Sequence, residues 1–329
     1  MAEFWTGALA ITLFLYVMLD GIDLGVGVLF GLERHDETRR QLLRSVSPVW
    51  DGNETWLVLS AAILFGAFPI VYSLLLSAFY LPMIAMLGGL ILRGVAFEFR
   101  EYGTWSRGVW DAGFIGGSVV AALVQGCAVG ALVLGLPNVA GRFTGGPFFW
   151  LQPFALLCGA GLLLGYTMLG AAWIIRKTEG EVQQRTIRKF RILLAAFLLC
   201  LAAIFVWSLM LELPMRDRWA AHPLLMLVPF AGLIGAIIAF AGPIRGRDGW
   251  PLVGGMLLFA ATFATLAASF LPYIVPYSLT YADAAAPAAS LSFLFWFAGI
   301  VALPLTIIYG IVNFMTFRGK LSQEDEGDY

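Results

Sequence analysis

The sequence predicts an all-α, polytopic membrane protein with nine transmembrane helices, and three observations carry that prediction. The 329 residues are 60% hydrophobic but only 12% charged, about half the charge of an ordinary soluble domain. A surface facing lipid needs no charge, and a helix satisfies its own backbone there. Nine apolar runs approach the ~20 residues that cross a bilayer: 4–29, 55–72, 75–98, 112–136, 150–175, 190–211, 223–243, 251–271 and 289–315. The basic residues, finally, alternate from one inter-run loop to the next.

The first run has no basic segment ahead of it and carries Glu3. It also exceeds the roughly 7–15 apolar residues of a signal-peptide core, so it is expected to stay in the membrane. The second and third runs are separated only by Tyr72-Ser73-Leu74. With Pro69 just ahead, a tight helical hairpin is expected there. Arginine and lysine then set the orientation. Arg34, Arg39, Arg40 and Arg44 follow the first run, and Arg100 and Arg107 the third. Arg176, Lys177, Arg185, Arg188, Lys189 and Arg191 follow the fifth, Arg245 and Arg247 the seventh, and Arg318 and Lys320 the ninth. Sixteen of the twenty basic residues thus fall on one side, against Arg142, Arg216 and Arg218 on the other. The positive-inside rule places odd loops and the C-terminus in the cytoplasm and the N-terminus outside.

Several function classes drop out. A net charge of −1 argues against a nucleic-acid partner. Cys127, Cys158 and Cys200 sit singly in apolar runs and read as small core residues. The only histidines, His35 and His222, fall in loops, so no buried haem or metal ligand set is expected from this chain. The ten methionines are scattered filler, Gly145-Gly146-Pro147 is a turn, and no nucleophile-and-base arrangement appears.

What remains is charge inside the membrane, which defaults to function. In "LDGIDLGVG" Asp20 and Asp23 lie three residues apart on one helical face, and Gly21, Gly25 and Gly27 permit a close neighbour. Arg93 reaches a similar depth in the third run. Two aspartates at a helix centre cost about 5–7 kcal/mol on the insertion scale. Ten Leu, Ile, Val or Phe residues from Phe4 to Leu24 return roughly 3–6 kcal/mol, so a partner settles the balance. An ion pair of Arg93 with Asp20 or Asp23 is expected, structural or serving a proton relay. Glu98 and Glu101 read as interfacial charges near Arg100, and Gln125, Tyr166 and Asn313 as hydrogen-bond partners of neighbouring helices. In "SPVWDGNETWLVLS" Asp51 or Asn53 reads as a helix cap, with Glu54 in the first turn. Trp50 and Trp56 would form an aromatic belt. That account leaves the density of polar groups unexplained.

"LDGIDLGVGVLFGL", "SPVWDGNETWLVL", "SAFYLPMIAMLGGLILRGVAFEFR" and "WDAGFIGGS" together resemble subunit II of cytochrome bd-type quinol oxidases, over nearly the whole chain. "VQGCAVGALVLGLP" and "LGYTMLGAAWIIRKTEGE" look most similar to the cyanide-insensitive branch. The resemblance implies two four-helix bundles, residues 1–136 and 150–271, a peripheral helix at 289–315 and a cytoplasmic tail at 316–329, in a bacterial inner membrane. It implies a heterodimer whose larger, haem-bearing subunit I holds haems b and d and the quinol site, reducing O2 to water. By the family's motif Asp51 would stand at the cytoplasmic mouth of a proton path continuing to Asp20 and Asp23, and Trp56 beside an O2 route. Some relatives carry Gln where this chain has Glu54, which leaves that residue's role open. Small single-helix accessory subunits and a structurally held quinone occur in the family, but no local motif here speaks to them. Two other readings stand beside this one: a secondary transporter with an intramembrane Asp/Arg site, disfavoured because no pair of broken helices recurs in the two halves, and a purely structural scaffold.

Overall fold

The protein, described here from a computed structural model over residues 1–100, 106–317 and 319–321, is helical almost throughout. The helices are α1 (Ala2–Gly31), α2 (Asp36–Val46), α3 (Trp50–Ala67), α4 (Pro69–Ala78), α5 (Tyr80–Phe99) and α6 (Arg107–Leu134). A short hairpin, Asn138–Val139 with Arg142–Phe143, leads to α7 (Pro153–Lys177), α8 (Gly180–Met210), α9 (Met215–Ala221), α10 (Leu227–Ile244) and α11 (Trp250–Phe270). A second hairpin, Tyr273–Val275 with Leu279–Thr280, precedes α12 (Ala288–Leu294), a π-helical stretch Phe295–Ala302 and α13 (Leu303–Thr316). Eight helical runs among the described residues are long and apolar enough to cross a membrane. They are α1, α5, α6, α7, α8, Pro223–Ile244, α11 and the continuous run Ala288–Thr316.

The second sequence run is where expectation and structure part. The helix that starts α3 begins at Trp50, five residues early, and so takes Asp51 and Glu54 into its length. The hairpin turn is not at Tyr72–Leu74, which lies inside α4. The breaks fall at Phe68 and Phe79 instead, for reasons the two prolines supply. Pro69 forces the residue before it out of the helical region, and Phe68 sits at φ −136, ψ 60. Pro82 lacks an N–H and its ring crowds the carbonyl of residue i−4, here Ala78, the last residue of α4. Pro304 acts similarly late in the chain, where the ladder widens to π turns over Phe295–Ala302 just before it. Helix α8 also starts ten residues ahead of its apolar run, which puts Arg185, Arg188 and Lys189 on a helix rather than in a loop.

Helix α1 is the hub, packed against α3, α6 and α7. Its glycines decide how close those neighbours come. A Cβ placed on Gly25 would lie 1.8 Å from the carbonyl oxygen of Tyr166 on α7, so the two backbones touch there. Gly27 in turn leaves room for the side chain of Ser118 on α6. The three cysteines are free and buried, on α6, α7 and α8.

The segment between α1 and α3, read as a cytoplasmic loop in the sequence, folds into the amphipathic helix α2 and is clamped by ion pairs. Arg100, almost wholly buried, donates to Asp111 at 2.5 Å and to Asp36 at 2.7 Å. Arg39 reaches Asp111 at 2.9 Å, and Arg40 and Arg107 face Asp36. The ring of Phe30 lies against both Arg39 and Arg100. Arg100 therefore pairs with these aspartates; Glu98 is exposed, and Glu101 lies outside the described residues. The hydrogen bond from Arg100, helped by Arg40, holds the Asp36 carboxyl below its usual range. A carboxyl with a depressed native pKa adds stability above its unfolded value, near 3.9, and loses it as pH falls through the native one. The melting-temperature gap between wild type and Asp36→Asn is thus expected to stay level from neutral pH down to about 5 and to close below about 4. A gap that widened on acidification would contradict the clamp.

The last helical run packs along α3, with Leu294 by Gly66 and Gly310 by Trp56, and is tied down at both ends. Trp5 donates to the carbonyl of Leu291 at one end. At the other, buried Lys177 donates to the carbonyls of Phe317 and Gly319 and sits over the Trp173 ring. Lys320 pairs with Glu179 and Asp248. Arg318 and residues 322–329, most of the expected tail, lie outside the described residues.

Candidate functional site

Asp20 and Asp23 face inward on α1, 0% and 2% exposed. Two neighbouring helices supply what meets them. From α5, Arg93 donates to Asp20 Oδ1 at 2.8 Å and to Glu54 Oε2 at 3.3 Å. From α3, the Asn53 amide donates to Asp23 Oδ2 at 2.7 Å. Arg93 thus bonds Asp20 and the half-buried Glu54, while Asp23 takes an uncharged donor and makes no direct ion pair with Arg93. Three atoms of this cluster are buried with no partner: Asp20 Oδ2, Asp23 Oδ1 and Arg93 Nη1. Buried charge of this kind is costly unless fully paired, so the cluster is held by its surroundings rather than by its own attraction alone.

Two assignments made from the sequence change. Neither Asp51 nor Asn53 caps α3: Val49 holds the cap position without a side-chain bond, Asp51 sits exposed in the first turn, and Asn53 turns inward. Trp50 and Trp56 form no lipid-facing belt. Trp56 is 3% exposed, beside Gly310 of the last helical run. Trp50 is half-buried, with its ring against Gly94 and Phe97. Asp51 and Glu54 are three residues apart on one face of α3, so the structure lines up an exposed carboxylate, a half-buried one and the Arg93–Asp20 pair.

A second set of polar groups begins one turn from Asp20, at Tyr16. Gln125 of α6 donates to Tyr16 of α1 at 2.7 Å and accepts from Tyr166 of α7 at 3.0 Å. Higher on α1, Ser60 of α3 donates to Thr12 at 2.9 Å. Asn313, expected to bond a neighbouring helix, lies by Gly52 without such a bond among the described residues. His35 and His222 are exposed. No group of three or more His, Cys, Asp or Glu side chains among the described residues is arranged to hold a metal ion, and the two exposed imidazoles give nothing that fits a buried haem.

Asn53 and Asp111 were the residues sequence reasoning under-used. The buried stripe of α3 runs Asn53, Trp56, Ser60, Ile63, Ala67, spaced by three and four residues. Extending the stripe back one turn from Trp56 points at Asn53. Asp111 stands in a quoted motif, yet only the folded arrangement brings Arg39 and Arg100 to it.

The family model described as cytochrome bd terminal oxidase subunit II matches residues 1–317. The chain is 29% identical to cytochrome bd-I ubiquinol oxidase subunit 2 of Escherichia coli strain K12, over 98% of this chain and 95% of that one. It is 28% identical to cytochrome bd ubiquinol oxidase subunit 2 of Bacillus subtilis strain 168, over 99% and 98%. The solved bd oxidase from Geobacillus thermodenitrificans has the same fold, with a TM-score of 0.79 at 17% identity over 96% of this chain and 98% of that one. A match across residues 1–317, on a chain with this helical membrane architecture, makes the protein a member of the cytochrome bd terminal oxidase subunit II family.

Proposed function

We propose that this chain is the non-haem subunit of a respiratory quinol:O2 oxidoreductase in a bacterial cytoplasmic membrane. It stabilises a haem-bearing subunit I and supplies that subunit with cytoplasmic protons and with O2. Haems b and d and the quinol belong to the partner, and the isolated chain performs no catalysis. Nine spans in two four-helix bundles plus a peripheral helix would follow if α3 crosses with the eight apolar runs, with the N-terminus outside and the C-terminus inside.

One observation carries the proton role: the graded descent from exposed Asp51, through Glu54 at 27% side-chain exposure, to the wholly buried Asp20. Reducing O2 consumes protons, and the hydrocarbon core supplies none. A surface carboxylate collects them from water, and a buried one passes them on where no water competes. Arg93 keeps the route from filling with negative charge. Trp56, buried where α3 meets the last helical run, is the residue assigned to the O2 route.

Asp51→Asn in the assembled complex is the test. Quinol oxidase turnover should fall while the haem absorption spectrum stays unchanged. Turnover equal to wild type would reject uptake at Asp51.

A further inference from the structure

A small cavity lies beside the buried charges, apart from the Asp51–Glu54 face. It has a volume of about 10 Å3 and is lined by Asp23, Arg93, Val46, Trp50, Phe97 and Phe114, with Gly94 completing its wall. That is room for a single water molecule. Two lining residues are almost fully buried and each has an atom with no partner, Asp23 Oδ1 and Arg93 Nη1. Buried polar atoms nearly always find a partner, protein or water, and a water needs two to four polar contacts to stay. Val46, Phe97 and Phe114 line the rest with hydrocarbon, and the Trp50 ring closes it.

We propose that this cavity holds one ordered water that accepts a hydrogen bond from Arg93 Nη1 and donates one to Asp23 Oδ1. The guanidinium occupies a lone pair, so the water's hydrogens turn toward the carboxylate. Asp23 gains the second partner that Asn53 does not provide, and gains it without contacting Arg93. Trp50 is the lid: its half-buried ring lies against Gly94 and 5.7 Å from the Phe97 ring, tilted by 31°. The water's presence stands by itself; its use as the proton donor to Asp23 rests on the proton-uptake reading. In that use, a proton from hydronium in the bulk water on the Trp50 side bonds to the water's oxygen as one of the water's own O–H bonds breaks and an O–H bond forms on Asp23 Oδ1, so no hydroxide is left behind.

A structure of the assembled complex sharp enough to show solvent tests the site directly. A density peak within hydrogen-bond reach of both Asp23 Oδ1 and Arg93 Nη1 is expected. An empty cavity, or the two side chains closed onto each other, overturns the proposal. Val46→Leu tests the use, because one added methylene fills the cavity without touching a charge. Turnover should fall several-fold with haem spectra intact and with a larger slowing in D2O than in wild type. If Val46→Leu is as fast as wild type while Asp51→Asn is slow, the water's role fails and uptake at Asp51 stands. If both are as fast as wild type, the uptake reading itself fails. Should Val46→Leu not assemble, the density in the wild-type complex decides.

Discussion

Replacing Arg93 by leucine is expected to destabilise the subunit by about 3–5 kcal/mol, the usual cost of stranding a buried charge. Asp20 would lose the cation it is bonded to, and Glu54 would lose its inward partner. The cost comes from desolvation more than from lost attraction, which predicts partial rescue: Arg93→Leu combined with Asp20→Asn should recover a large share of it. A double-mutant cycle read by thermal unfolding of the complex checks this. Coupling between Arg93 and Asp20 should exceed 1 kcal/mol, within the range of directly contacting residues. The same cycle with Asp23 should give less, since Asn53 and not Arg93 bonds it. Zero coupling to Asp20 would mean that the pair is not formed in the membrane.

The second large effect belongs to Gly25. Even alanine there would push its Cβ to 1.8 Å from one backbone atom and 2.5 Å from another on α7, so α1 and α7 would have to move apart. Helices in lipid hold together by close packing rather than by a hydrophobic force between them, so the separation is not offset elsewhere. Overpacking of this kind costs about 1–3 kcal/mol or more. Because α1 also carries both aspartates, the shift would pull Asp20 from Arg93. Gly25→Ala is expected to lower the yield of assembled, haem-containing complex from membranes. Gly7→Ala, on the same helix with open space around it, should assemble like wild type. Equal yields for the two variants would remove the close crossing as an explanation.

How far the sequence foretold this depends on which residues are asked. The apolar runs gave α1, α5, α6, α7, α10 and α11 directly, because twenty greasy residues in lipid have little choice but a helix. Hydropathy is blind to a break inside an apolar stretch, however. Residues 55–98 are greasy throughout, and only Pro69 and Pro82 hold the information that α4 is a separate piece. Helix α2 went unread because its apolar residues, Leu42, Leu43 and Val46, are few among charges. At the candidate site, the meeting of α1 with α5 was legible from the rarity of charge there. That Asn53 would bond Asp23 and Glu54 would reach Arg93 was not, since a cap and a first-turn carboxylate are both satisfied by the end of their own helix.

The hydrogen bonds beyond Asp20 carry one more consequence. Gln125 joins Tyr16 to Tyr166, and Tyr166 in turn stacks on Phe259. A carboxamide neither gives up nor accepts a proton at ordinary pH, and past Tyr166 lies an aromatic ring with no group to receive one. On that flank the arrangement works as a brace: it ties three helices together and brings no further carboxylate into the bonded set.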